Sequence, residues 1–119
     1  MFKVNFYRDS KGHSEIEEFL SSLAKQAHTN KDAKIQLKQI SLCIELLMKF
    51  GTRIGENITK HIDDGIWELR PGNNRVLYFY FREETFVLLH YFRKKTQKTP
   101  KREIEKAKQE RTDWIERQE

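Results

Sequence analysis

Glu68, Arg70, Arg75, His90, Phe92 and Lys94 are the residues of this chain whose types and spacing could do chemistry. They fall in or beside three strand-like runs, residues 65–70, 75–81 and 86–92, rich in aromatic and branched side chains. Directly opposed residues of paired strands share a face. With residues 71–74 as the first turn, Arg70 opposes Arg75 and Glu68 opposes Leu77. With residues 82–85 as the second, Phe81 opposes Phe86, His90 opposes Leu77 and Phe92 opposes Arg75. One face then gathers the six residues. The other receives Trp67, Leu69, Val76, Tyr78, Leu89 and Tyr91, a surface suited to lie under helices.

Two arginines directly across a sheet repel by some tenths of a kcal/mol to about 1 kcal/mol, and Glu68 beside them offsets that as a structural ion pair. The functional reading of the same residues is an anion site. Guanidinium forks match phosphate, imidazole moves a proton near neutral pH, and an aromatic ring stacks a base. Metal-free RNA cleavage needs a base for the 2′-hydroxyl proton, cations for the phosphorane and an acid for the leaving 5′-oxygen. Glu68 or His90 could be the base, Arg70 and Arg75 the stabilisers, and His90 or Lys94 the acid. Such catalysis requires Arg70, Arg75 and His90 to point toward one surface. A lone histidine in a strand is more often structural than catalytic.

The elements that must position these groups follow from periodicity. Phe2, Val4 and Phe6 alternate with polar residues as in a strand with one buried face. Ser14 with Glu17 forms a capping box, and Ile16, Phe19, Leu20 and Leu23 recur at helical spacing, predicting a helix over about 14–25. A second helix runs from Asn30 to Phe50, with Leu37, Ile40, Ile44 and Leu47 on one face and Gly51 as its stop. Thr99-Pro100 reads as an N-cap followed by proline at the first helical position of a last helix reaching about Gln118. Its apolar stripe, Ile104, Ala107, Trp114 and Ile115, is thin, so it docks lightly. The expected fold is α+β: an N-terminal strand and helical hairpin packed on one face of a small antiparallel sheet, with a C-terminal helix and the other face left for function.

Length and composition set the frame. At 119 residues the chain is expected to be one domain, 1–119. It carries a net charge of +5, and residues 93–108 hold eight Lys or Arg against two acids, so the rest of the chain is close to neutral. That concentration favours a polyanionic partner. The one cysteine, Cys43, reads as a small core residue in a reducing compartment. The opening residues alternate instead of forming an apolar leader, and no run approaches a membrane span, so a cytoplasmic location without membrane association is expected. His13, His28, His61 and His90 have no ligand spacing with each other or with Cys43, which argues against a metal site. No glycine-rich phosphate loop or dinucleotide fingerprint is present, and no cofactor is expected. Asp63-Asp64-Gly65 is a turn.

The run Ile66-Trp67-Glu68-Leu69-Arg70-Pro71, then Asn74-Arg75-Val76-Leu77-Tyr78, Leu88-Leu89-His90-Tyr91-Phe92, and Lys94-Lys95-Thr96-Gln97-Lys98-Thr99-Pro100 resembles the phage-derived, HigB-like branch of the RelE/ParE toxins over about residues 55–115. The resemblance implies a RelE-like fold and a type II toxin that cleaves messenger RNA on the ribosome. It implies as partner a helix-turn-helix, HigA-like antitoxin. It matches Arg75 to a catalytic arginine, and Lys95, or Lys94, to a further basic catalytic position. Ile66 and Glu68 stand where RelE uses lysines, and Lys60 is the substitute cation. Lys60, Phe92, Lys94, Lys98 and Lys101 are then the RNA-binding set, with phosphate contacts supplying affinity without sequence preference. The alternatives are a ParE-like toxin that binds DNA gyrase and a noncatalytic protein-binding module; fold alone does not separate them.

Overall fold

A computed structural model describes residues 1–118. In chain order it contains β1 (Lys3–Phe6), α1 (Glu15–Gln26), α2 (Lys31–Phe50), β2 (Thr59–Asp63), β3 (Ile66–Leu69), β4 (Asn74–Tyr80), β5 (Thr85–Arg93) and α3 (Lys101–Arg117). The fold is α+β. One five-stranded sheet has the order β1-β5-β4-β3-β2, with β1 parallel to β5 and the other pairs antiparallel.

Local chemistry sets the helix ends. Ser14 accepts from the Glu17 amide, and Glu15, Glu17 and Glu18 place negative charge at the positive end of α1. Asn30 caps α2 through the Ala33 amide, and Gly51 ends it at φ +66°. At α3 the expected cap is displaced: Pro100 itself holds the N-cap position and makes no side-chain cap bond. The Thr99 hydroxyl donates to Glu68 Oε2 instead, at 2.7 Å.

Strand β2 is absent from the expectation above. Of its five residues Thr59 alone is buried, so it shows no apolar alternation. Asp64 and Gly65, both at positive φ, form the two-residue turn that folds it onto β3, as a type I′ hairpin requires.

Helices cover both faces, which corrects the expected arrangement. Leu69, Val76, Tyr78, Phe86 and Leu88 pack against Ile16 of α1 and against Cys43 and Leu47 of α2. On the opposite face Ile66, Leu77, Phe79, Val87 and Leu89 meet Ala107, Trp114 and Ile115 of α3. Each such fully buried leucine or isoleucine stabilises by about 1.5–3 kcal/mol. The face expected to stay open is therefore free only at one end, beyond the start of α3.

The threaded register holds near the arginines and slips near the second turn. Glu68 faces Leu77, Arg75 faces Phe92 and Leu77 faces His90, as expected. A bulge then follows, so that Tyr78 pairs with Leu88 and Tyr80, not Phe81, pairs with Phe86. Leu89 is the extra residue, and it joins the α3 face, not the hairpin face. Glu83 and Glu84, both at positive φ, bend the polar turn that absorbs the shift.

A buried hydroxyl chain fixes the strand that carries Glu68. The Tyr78 hydroxyl lies 2.6 Å from Thr59 Oγ1, which donates to the Glu68 carbonyl at 2.9 Å. Burial pushes the Tyr78 phenol well above its ordinary range, so it stays neutral and available as the donor.

Candidate functional site: a cationic cleft at the start of the last helix

Glu68, next to last in β3, carries a buried carboxylate, 2% exposed, between two arginines. Arg70 Nε donates to Glu68 Oε1 at 3.1 Å, and Arg75 Nε lies 3.8 Å from the same oxygen. The like-charge pair predicted across the sheet thus exists, and Glu68 compensates it. Both guanidiniums are pinned further. Arg70 Nη1 donates to the Glu56 carbonyl at 3.0 Å, while Arg75 Nη1 donates to the Gly72 and Asn74 carbonyls at 2.8 Å each. Neither Nη2 has a hydrogen-bond partner among the described residues. Burial lowers the Arg75 pKa from its ordinary value, Arg70 adds to that, and Glu68 opposes it. An arginine remains charged under such shifts.

Above this cluster runs the segment from Lys94 to Pro100. Its first residue is held by the Lys94 amide donating to the Asn73 carbonyl at 2.8 Å, and its end by the Thr99–Glu68 bond. Between floor and segment lies a small polar cavity of about 80 Å³, lined by Glu68, Arg70, Arg75, Phe92, Lys94, Lys95 and Lys98 together with Thr96, Gln97, Thr99 and Pro100. A wider groove of about 750 Å³ adjoins it and shares Phe92 and Lys95 before continuing to Lys101, Arg102 and Ile104.

Most of the residues expected from sequence meet here. Glu68, Arg70, Arg75, Phe92, Lys94, Lys95 and Lys98 border the cavity, and Lys101 borders the groove. Lys60 does not border either. It sits exposed on β2 opposite Glu68, on the same sheet face but one strand outward.

His90 is the correction. It shares the face of Glu68, as the register required, yet it is 0% exposed and does not border the cavity. The reason is α3, which passes over that part of the face. His90 Nδ1 lies 2.5 Å from Glu110 Oε1 and Nε2 lies 3.0 Å from Glu103 Oε1. Both ring nitrogens are engaged, so the histidine ties α3 to the sheet and is not presented to a ligand. The required convergence of Arg70, Arg75 and His90 on one surface is met by the two arginines alone, which leaves any chemistry of the cavity to Glu68, the arginines and the lysines.

Sequence reasoning missed Thr99, Glu103 and Glu110. A signal for the last two existed: residues 103, 107, 110 and 114 follow the inward heptad spacing of α3, so two glutamates occupy positions where apolar residues were expected. Thr99 was assigned to a helix cap, and nothing local distinguishes a hydroxyl that caps from one that reaches a distant carboxylate.

The basic segment also divides in two. Lys106, Lys108 and Arg111 are paired with Glu15, Asp63 and Asp64 at 2.8–2.9 Å, so they hold α3 in place, while Arg117 pairs with Asp113 within the helix. Lys94, Lys95, Lys98 and Lys101 are exposed and have no ion pair among the described residues. Within that segment the unpaired lysines therefore lie at the cleft. Among the described residues no group of three or more His, Cys, Asp or Glu is arranged to hold a metal ion, and no helix is long and apolar enough to cross a membrane.

Two solved structures from Staphylococcus aureus are similar to this chain. One is described as a YoeB-YefM complex; it is 13% identical with a TM-score of 0.49, and the match covers 76% of this chain and 94% of that one. The other, a heterotetrameric YoeB-YefM toxin-antitoxin complex, is 13% identical with a TM-score of 0.48, covering 81% and 98%. No curated protein matches the sequence. The family described as Phage derived protein Gp49-like (DUF891) matches residues 20–112, which span the second half of α1, all of α2, four of the five strands and every residue bordering the cleft. The chain belongs to this phage-derived Gp49-like family.

Proposed function

We propose that this chain is the single-domain toxin of a type II toxin-antitoxin pair, a HigB-like member of the RelE/ParE superfamily that cuts messenger RNA on the ribosome in the cytoplasm without a metal ion. Its antitoxin would be a helix-turn-helix protein of the HigA kind. The observation that carries this is the meeting of Glu68, Arg70, Arg75 and three unpaired lysines around one small polar cavity.

In the proposed reaction the ribose 2′-hydroxyl gives up its proton and attacks the adjacent phosphorus. A 2′,3′-cyclic phosphate closes, the bond to the 5′-oxygen breaks, and that oxygen takes a proton. Glu68 is the one carboxylate bordering the cavity and serves as base, the incoming hydroxyl replacing that of Thr99 on Oε2. The free ends of Arg70 and Arg75 face the charge that develops on the phosphorane oxygens. Lys95, with Lys94 beside it, delivers the proton to the leaving oxygen. A cavity this small suits a phosphate, while the adjoining groove suits flanking nucleotides, with Phe92 between them as a stacking ring.

Ribosomes programmed with a defined message test this reading. The expected fragments end in a 2′,3′-cyclic phosphate and begin with a 5′-hydroxyl. Fragments carrying 3′-hydroxyl and 5′-phosphate ends would refute it. Lys98→Ala and Lys101→Ala should each weaken RNA binding equally for all sequences. Each should also flatten the plot of log affinity against log salt by roughly 0.7 per lost phosphate contact on a single strand. Fluorescence anisotropy across a salt series reads this, and an unchanged slope would remove either lysine from the RNA path.

One observation favours a second reading. Both Glu68 oxygens are already engaged, by Arg70 and by Thr99, as in a purely architectural ion cluster. The chain would then be a noncatalytic binding module or a ParE-like gyrase inhibitor. Inhibited supercoiling with intact messages would select it.

A further inference from the structure

The groove beside the cavity carries one group that the proposed reaction leaves unused. Among the described residues that line it, five are Lys or Arg and Glu103 is the one carboxylate. In a channel for a polyanion that carboxylate repels phosphates, so the phosphate backbone of a bound strand does not run past it. The two oxygens of Glu103 differ. Oε1 lies 3.0 Å from His90 Nε2 and belongs to the buried tie between α3 and the sheet. Oε2 has no hydrogen bond among the described residues, and its ion pair is a long one, 3.8 Å from Nε of Arg102, a side chain 78% exposed.

The position of Glu103 in its helix explains the difference. It is the third residue of α3, where a glutamate ordinarily accepts the amide hydrogen of the N-cap residue. Here the N-cap is Pro100, which has no N–H. An acceptor that the helix start would normally satisfy is therefore left for a ligand of the groove.

A carboxylate accepts hydrogen bonds and does not donate, so the ligand group that suits it brings donors. The bases of single-stranded RNA are stacked on aromatic side chains and read along their Watson–Crick edges. Guanine alone shows two adjacent donors there, N1–H and the 2-amino group. Adenine and cytosine each set an amino group beside an unprotonated ring nitrogen, and uracil flanks its N3–H with two carbonyl oxygens, so the second carboxylate oxygen meets an acceptor. Phe92 and Ile104 supply apolar walls for the ring.

We infer that the groove is a guanine subsite with Glu103 as its specificity-determining residue: the carboxylate accepts from N1–H and the 2-amino group of a guanine flanking the cut phosphate. The inference rests on the RNA path proposed above and concerns base choice alone. Lys98 and Lys101 supply affinity for any sequence, and Glu103 selects the base.

The test uses labelled pentanucleotides with one guanosine, inosine or adenosine between uridines, 2′-O-methylated throughout so that no nucleophile is present. They are titrated against the full chain by fluorescence anisotropy. The guanosine oligonucleotide should bind about tenfold more tightly than the adenosine one. Inosine, which keeps N1–H and lacks the 2-amino group, should fall between them. Glu103→Gln keeps an acceptor for His90 but sets a donor beside it, and should bring all three within about threefold of one another. Lys101→Ala should weaken all three by the same factor. Equal binding of guanosine and inosine by the unaltered chain, a comparison that no folding defect can disturb, would overturn the inference. So would a guanosine preference that survives in Glu103→Gln, or binding of none of the three. Cleavage of programmed ribosomes is scored separately. Cut messages without a guanosine preference in the oligonucleotides sink the guanine subsite alone, whereas a Glu103-dependent preference with every message intact sinks the nuclease reading alone.

Discussion

Replacing Arg75 with alanine should slow RNA cleavage by about 10²- to 10³-fold, the loss expected when one donor to a developing oxyanion is removed. The effect should fall on kcat, not KM, because the guanidinium is aimed at charge that appears only in the transition state. Arg75→Lys should recover little, since an ammonium on a flexible stem cannot both hold the Gly72 and Asn74 carbonyls and keep a second nitrogen in the cavity. Some stability is lost as well, roughly 1 kcal/mol, because Glu68 keeps Arg70 and Thr99 but loses a nearby positive charge. Single-turnover cleavage of ribosome-bound message, measured well below the melting temperature, separates the two effects. Cleavage within threefold of the parent would remove Arg75 from the reaction.

The second large effect is on folding. His90→Gln should destabilise the chain by about 1–3 kcal/mol, the cost of leaving a buried hydrogen-bonding group unsatisfied. For a chain of this size that corresponds to roughly 4–15 °C in melting temperature. Glu110, 8% exposed, is the group left stranded, since its Oε1 bonds to His90 Nδ1. Replacing His90, Glu103 and Glu110 together with leucines should restore most of the loss, because replacing every partner of a buried polar cluster with apolar groups of similar size strands none of them. Circular dichroism on heating reads both variants. At a temperature where His90→Gln is still folded, cleavage should stay within about threefold of the parent. A hundredfold fall in folded protein would return His90 to the chemistry.

His90 shows where sequence reasoning stops. Its face was legible, because strand alternation and turn length fix which side chains share a side, and Glu68, Arg70, Arg75 and Phe92 are where that logic puts them. What α3 covers was not legible, because a helix with few apolar residues gives a weak signal for docking. Here part of the docking is electrostatic, through Glu103 and Glu110 on the inside and Lys106, Lys108 and Arg111 at the rim. The bulge at Leu89 was invisible for a similar reason. Both Leu88 and Leu89 are apolar, and nothing in Leu88-Leu89-His90 indicates which residue is unpaired. Strand β2 escaped because an outermost strand with one buried residue has no pattern to read. The cleft segment was legible only as a run of lysines, and its closure onto Glu68 through Thr99 is a contact between residues 31 positions apart.

That closure has a consequence for affinity. The cationic strap over the cavity is moored at both ends, by the Asn73 carbonyl at Lys94 and by the Glu68 carboxylate at Thr99. Its backbone entropy is surrendered when the chain folds, so an arriving polyanion need order only the lysine side chains, at about 0.5–1.5 kcal/mol each. Cutting the Thr99 mooring would leave the charge of the cleft unchanged while transferring the ordering of five residues to the moment of encounter.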